Sequence, residues 1–263
     1  MMLEQLTWQQ VDSLDRNTAV LVPFGAMEQH GPHLPLKTDA LIGASICRRL
    51  DAACEGRILV LPEQWLGLSL HHMRFAGTIS ASVETFIATV TDTISSIAAA
   101  GFKNVLALNS HGGNSAAIEV AITKCKSLYP AHRFVGTTYW NLAAAGLAAI
   151  RESAIGGMGH ACELETSLVL AEQPDLVRTE LIRADGKWPA SEFLAKDMLR
   201  GGPASYALRF DEITNEGVVG DPTLASAAKG EAAYSAIVQA LIRLVHQMES
   251  GEIDHFLPVA NRD

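Results

Sequence analysis

The chain has 263 residues, 48% of them hydrophobic and 19% charged, with a net charge of −9. That length and composition can bury a sizeable core within one large domain, which excludes intrinsic disorder, and the acidic balance argues against a nucleic-acid groove or an anionic membrane as partner. No apolar run reaches the ~18 residues that a spanning helix needs. The opening MMLEQLTWQQ lacks a basic stretch followed by an apolar one, so no secretory signal is expected. Cys47, Cys54, Cys125 and Cys162 form no CxxC pair. Neither a disulfide framework nor a zinc knuckle is supported, and a reduced cytoplasm is the default compartment.

In chain order, Ala19–Phe24 (AVLVPF) has the continuous apolar character of a buried strand. Thr38–Ala53 reads as a helix opened by a Thr38/Asp39 cap, and 57–61 (RILVL) as a second strand. The stretch 82–100 places Val83, Phe86, Ile87, Val90, Ile94 and Ile97 on one helical face, with Gly101 as its stop. A third strand (104–108, NVLAL), a helix over Ser115–Leu128 closed by Pro130, and a fourth strand at 134–139 follow. Beyond Trp140 the pattern is sparser. A helix is expected at 161–171, a Gly- and Pro-rich surface excursion at 180–222, and a closing helix at 225–249. The alternation predicts an α/β fold: a single-domain sandwich over 1–263 with a mostly parallel central sheet flanked by helices on both faces.

Open parallel sheets bind ligands beyond the carboxyl ends of their strands. The first strand runs into GAMEQHGPH (25–33), with Asp39 at the next helix start, and the third runs into NSHGGN (109–114). Glu28, His30, Asp39 and His111 would therefore converge at one end of the sheet. Imidazole nitrogen and carboxylate oxygen together suit a divalent metal. An Asp can bridge two ions, and the Glu28-x-His30 spacing lets both side chains serve adjacent ions. Taken singly, each residue has an ordinary explanation as a helix cap or a solvated charge; it is the joint occurrence that points to a site.

The stretch GHACELETS (159–167) sets His160 at a loop-to-helix junction with Glu163 and Glu165 close behind. Such acids also suit a helix N-terminus without any ligand. Cys162 beside His160 lacks the supporting residues of a cysteine nucleophile. Asn109–Asn114 resembles an anion cradle before a helix but has no P-loop lysine. A non-catalytic nucleotide- or anion-binding module is the alternative of another class. His71 and His72 lie in a stretch whose usual place is a solvated surface loop.

At these residues the sequence resembles the creatininase (creatinine amidohydrolase) family. The matching stretches are GAMEQHGPHLPLKTD (25–39), FAGTIS (75–80), NSHGGN (109–114), Tyr139-Trp140, HACELETS (160–167) and GVVGDPTLASAAKG (217–230), in family order over almost the whole chain. The resemblance implies a hydrolase acting on C–N bonds other than ordinary peptide bonds, using metal-activated water and two divalent ions (Zn, Mn or Fe). Glu28, Asp39 and His111 would hold one ion. His30 and Asp39 would hold the other, and His160 would act as acid/base. Trp140 would line the substrate pocket, with His72, Ser110 and Gly112 as further candidate substrate contacts. A cytoplasmic homohexamer acting on a small-molecule amide, either cyclic or related, is implied, with a formamide deformylase or peptide hydrolase as the alternative.

There are departures from the pattern. Gly113 stands where creatininase proper has a ligand Glu, so the second ion needs a carboxylate from Glu163 or Glu165; Glu163 is preferred, because creatininase proper lacks an acid there. The 156–159 stretch (GGMG) lacks a second pocket Trp, Ala76 replaces a usual Pro, and Lys37 a frequent Gly. Creatinine itself is therefore expected to be a poor substrate.

Overall fold

The structure is a computed structural model that describes residues 1–195 and 197–254; the remainder of the expected domain, 255–263, lies outside the described residues. A short helix α1 (Trp8–Asp12) precedes β1 (Ala19–Phe24). Then come α2 (Thr38–Ala53), β2 (Leu59–Val60), α3 (Val83–Ala99), β3 (Asn104–Asn109), α4 (Ser115–Leu128) and β4 (Arg133–Thr138). Two short helices, α5 (Tyr139–Leu142) and α6 (Ala144–Ile150), lead to β5 (Met158–His160) and α7 (Glu163–Glu172). After a long excursion, β6 (Val219–Gly220) and α8 (Ala227–Ser250) complete the described order.

The main sheet has the order β2-β1-β3-β4 and is parallel throughout. Strands β1 and β3 are buried along their whole length, because helices cover both faces; this is why they read as unbroken apolar runs. On one face α3 and α4 pack together over Val22, Phe24, Phe86, Val90, Ile94 and Phe102. On the other, α2, α7 and α8 enclose Ile42, Ile46, Leu50, Leu106, Leu168, Ile237 and Leu241. Strand β5 pairs antiparallel with β6 in a separate two-stranded ribbon. Among the described residues no helix is long and apolar enough to cross a membrane.

Local chemistry sets the ends of these elements. The Ser82 side chain caps α3 by accepting from the Thr85 N–H, and Gly251 closes α8 at φ 79°. The expected Thr38/Asp39 cap on α2 is corrected: Lys37 occupies the cap position without a side-chain bond, and Asp39 lies inside the first turn. Ala161, at φ 50°, turns the chain between β5 and α7 in a conformation that residues other than glycine seldom adopt.

Candidate metal centre

Phe24 and Asn109 are register partners in β1 and β3, so the segments that follow them leave the sheet side by side. Two asparagines fix the second segment. Asn109 Nδ2 donates to the His111 carbonyl at 2.7 Å and its Oδ1 accepts the His111 N–H at 3.0 Å, clamping that residue from both ends. Asn114 Oδ1 accepts from Leu68 N at 2.9 Å and its Nδ2 donates to the Gly25 carbonyl at 3.0 Å, tying three loops together.

Five buried side chains meet above these strand ends: Glu28, His30, Asp39, His111 and Glu165. The two oxygens of Asp39 face different imidazoles. Oδ1 lies 3.2 Å from His30 Nε2, and Oδ2 lies 3.0 Å from His111 Nδ1. Glu28 Oε1 is 3.2 Å from His111 Nδ1, and Glu165 Oε1 is 3.8 Å from His30 Nε2. Two neighbouring rings complete the wall: His72 Nε2 is 3.3 Å and His160 Nδ1 is 3.8 Å from Glu28 Oε1.

The outer nitrogens of both central imidazoles contact backbone carbonyls. His30 Nδ1 lies 3.2 Å from the Glu28 carbonyl and His111 Nε2 lies 2.9 Å from the Leu68 carbonyl. A carbonyl only accepts, so each outer nitrogen carries a proton and the inner nitrogen is the one that, on losing its own proton, would offer a lone pair inward, the arrangement that a metal-binding imidazole needs. Burial drives the Glu28 pKa up. At Asp39 burial acts in the same direction, but His30 and His111 override it and hold the carboxyl well below the usual range. Burial depresses the two imidazoles, and the facing carboxylates override it: Asp39 and Glu165 raise His30, and Glu28 and Asp39 raise His111. Without a cation, protons must compensate the buried carboxylates.

Glu28 Oε2, His30 Nε2, Asp39 Oδ2 and Glu165 Oε2 are buried with no hydrogen-bond partner. Atoms of that kind are costly to leave unsatisfied. Donor atoms of Glu28, His30 and Asp39 lie within 4.8 Å of one another, as do those of His30, His160 and Glu165. Oxygen and imidazole donors directed inward fit divalent cations of the zinc or manganese type.

The creatinine amidohydrolase family model matches residues 4–245. The chain belongs to the creatininase family. It is accordingly a hydrolase acting on C–N bonds. A mycofactocin precursor peptide peptidase of Mycobacterium tuberculosis is 34% identical over 235 residues, spanning 86% of this chain and 84% of the relative. The creatinine amidohydrolase of Pseudomonas putida is 26% identical, spanning 92% of this chain and 95% of the relative. A solved creatininase superposes with a TM-score of 0.76 at 26% identity, covering 94% of this chain and 96% of that one. Relatives of the same fold have been solved as a zinc–zinc form and a manganese form.

Within this creatininase-family frame the sequence-derived residues divide. Glu163 does not face the cluster. Lys229 Nζ is 2.6 Å from its Oε1, and the backbone N–H groups of Glu152 and Ser153 donate to its two oxygens at 3.0 and 2.9 Å. Burial works to raise its pKa, but these donors override it and hold the carboxyl low. The preference for Glu163 is therefore corrected to Glu165, because helix residues two apart point to different sides. Ser110 is also corrected: its hydroxyl donates to the Asp39 carbonyl at 2.8 Å, and it lies outside the cavity. His33 stays outside the cluster, its Nε2 2.9 Å from Thr166 Oγ1.

Trp140, His72, Gly112 and His160 do line the cavity, which holds about 510 Å³. His72 is fully buried, whereas Leu70 and Met73 beside it are exposed, so the surface-loop reading holds for most of that stretch but not for this ring. The excursion expected to run over the surface supplies Trp188, Tyr206, Leu208 and Phe210 to the same cavity, none of them signalled by the sequence. The Phe210 ring centroid lies 3.9 Å from that of His72, with the rings tilted by 37°. At Gly113 a Cβ would lie 2.2 Å from the Leu68 carbonyl and 2.5 Å from His111 Nε2, so the backbone here has no room for the family's carboxylate. At Gly159, where a Cβ would lie 2.8 Å from Trp188 Nε1, an indole from the excursion occupies the neighbouring space.

Proposed function

We propose that this protein hydrolyses an amide C–N bond at a centre of two divalent cations, with Glu28, Asp39 and His111 holding one and His30, Asp39 and Glu165 the other. The observation that carries this reading is Asp39, whose two oxygens face two different imidazoles, as a bridging carboxylate requires. When bound, such a pair of cations lowers the pKa of water and polarises a carbonyl. The chain supplies the rest. Five buried ligands hold the donor atoms with lone pairs inward, and the outer N–H bonds of His30 and His111 keep those rings from turning. His160 presents Nδ1 to the same side as Glu28 Oε1 and is placed to move a proton to the leaving nitrogen. Burial, together with the charge of neighbouring His30, holds its pKa well below the ordinary histidine value, which keeps the ring available as a base.

The cavity favours a substrate larger than creatinine. Its volume and its lining of Trp140, Trp188, Phe210 and Leu208 suit an amide or a peptide end bearing a bulky apolar group. The mycobacterial relatives, named as peptide peptidases, agree with that size. A small cyclic amide is the second reading, supported by the family resemblance. A cytoplasmic homohexamer is part of the proposal on the same resemblance, and sedimentation tests the assembly. The decisive experiment reconstitutes the protein with zinc or manganese and assays creatinine, lactams, formamides and short peptides for amine release. Two metal equivalents with turnover of a peptide or bulky amide are expected. Protein that binds no metal and turns over none of the panel would sink the hydrolase reading in favour of a binding module.

A further inference from the structure

Gln29 lies between Glu28 and His30 and is buried. Backbone neighbours fix the orientation of its side-chain amide. Oε1 accepts the Gly31 N–H at 2.9 Å, and Nε2 donates to the Gly217 carbonyl at 3.1 Å. Exchanging oxygen and nitrogen would set N–H against N–H and carbonyl against carbonyl. The amide also occupies space that only glycine leaves free: a Cβ at Gly217, where φ is +89°, would lie 1.7 Å from Gln29 Oε1.

With Nε2 fixed as a donor, His72 Nδ1 at 2.8 Å must accept, and that ring carries its proton on Nε2. The resulting N–H faces Glu28 Oε1. His160 Nε2 lies 2.7 Å from the Gln29 carbonyl, which only accepts, so this nitrogen is protonated too. Gln29 Nε2 also lies 3.0 Å from His160 Nε2, but its two protons are already used on His72 and Gly217. His160 is left with a bare Nδ1 on the side of Glu28 Oε1. The assignment matters because donor atoms of Glu28, His72 and His160 lie within 4.8 Å of one another, close enough to hold a further cation if all three had free lone pairs.

We propose that Gln29 is a positioning residue that sets the tautomers of two histidines. Its side chain holds His72 as an Nε2–H donor toward Glu28 and so bars that ring from coordinating a cation. Its backbone carbonyl holds His160 with Nδ1 free to exchange a proton with the reacting group. The kinetic consequence rests on the hydrolytic reading above, whereas the tautomers themselves are a property of the metal-free chain.

The test is long-range proton–nitrogen NMR on metal-free protein labelled with 15N histidine, the two rings being assigned by loss of signal in His72→Gln and His160→Gln. In the wild type both rings are expected to be protonated at Nε2. A proton on Nδ1 of His72 or of His160 overturns the proposal, whatever the enzyme hydrolyses. Gln29→Glu replaces the donor with an acceptor and should move His72 to the Nδ1–H form while His160, held by the backbone, is unchanged. Its kcat should fall about 10–100-fold, the usual cost of losing a group that orients a metal site, with KM little changed. Gln29→Met, which keeps the chain length and removes the amide, should leave His72 as a tautomer mixture. A His72 ring that stays purely Nε2–H in both variants would show that Gln29 does not set it. Absence of turnover with every amide tried, alongside the expected wild-type tautomers, would count against the hydrolytic reading alone.

Discussion

Replacing Glu165 and Glu163 in turn by Gln separates the two carboxylates that the sequence left open. Glu165 Oε1 stands 3.8 Å from His30 Nε2 and has an unpartnered second oxygen, whereas Glu163 is bonded to Lys229 and two backbone N–H groups. Two unit charges ~4 Å apart interact by about 4 kcal/mol at an effective dielectric constant near 20, and a divalent cation doubles that before the desolvation cost is taken off, so a loss of at least roughly 10³-fold in Kd is expected. Glu165→Gln would also leave the second ion with two protein ligands, His30 and Asp39, against the three usual in catalytic zinc sites. Zinc titration into metal-free protein, with metal analysis after dialysis, should find two equivalents in the wild type and one tightly held in Glu165→Gln. Glu163→Gln should keep both and lose about 1–3 kcal/mol of stability, because it leaves Lys229 and an N–H donor poorly matched. Equal metal loss in the two variants, or loss confined to Glu163→Gln, would refute the assignment.

His160→Gln should retain both metals and lower kcat by about 10²–10⁴-fold; metal lost in step with the rate would instead make His160 a ligand. Gly113→Glu should not restore the family's carboxylate. With a Cβ 2.2 Å from the Leu68 carbonyl it should cost about 1–3 kcal/mol by thermal unfolding, and a stable variant with tighter metal binding would contradict the packing described. The metal-free protein should lose stability as pH rises. His30 and His111 have folded pKa values raised well above 6.5, so their contribution is complete below that value and is lost as pH climbs through the folded values. The melting temperature of apo protein should therefore fall above about pH 6.5 relative to the zinc-loaded form, and parallel curves for the two would refute the proton-for-metal exchange.

The sheet and most of the centre were legible for one physical reason. Parallel strands covered on both faces must be apolar throughout, which marks β1 and β3, and ligands collect at their carboxyl ends. By that rule Glu28, His30 and His111 fall together at one end of the sheet. Strand β2 is shorter than its 57–61 signal, because the edge strand pairs with β1 only at Leu59 and Val60. Asp39 joins the same set from the start of the next helix, although an acid in a first helical turn also suits the macrodipole whether or not it binds anything. The choice between Glu163 and Glu165 was open to geometry all along. At about 100° per residue, two acids two positions apart on α7 cannot both face His30, and the residue that reaches the site is set by how α7 packs against α2 and α8.

What stayed hidden depends on contacts distant in sequence. Trp188 and Phe210 come from a Gly- and Pro-rich segment with no helical or strand periodicity, so no local pattern shows that it folds back over the cavity. His72 belongs to a 3-10 turn, Leu70–His72, whose Leu70 is exposed, and nothing local shows that His72 alone turns inward over the ends of β1 and β3. Its ring is enclosed between Glu28, Gln29 and Phe210, and burial together with the neighbouring His160 drives its pKa far below the ordinary histidine value. A buried neutral imidazole must satisfy one donor and one acceptor. In this chain Gln29 answers the acceptor side at 2.8 Å, while the Nε2 side faces Glu28 Oε1 at 3.3 Å without a formed hydrogen bond, so a residue flanked by two proposed metal ligands takes part in the site by orienting a neighbouring ring.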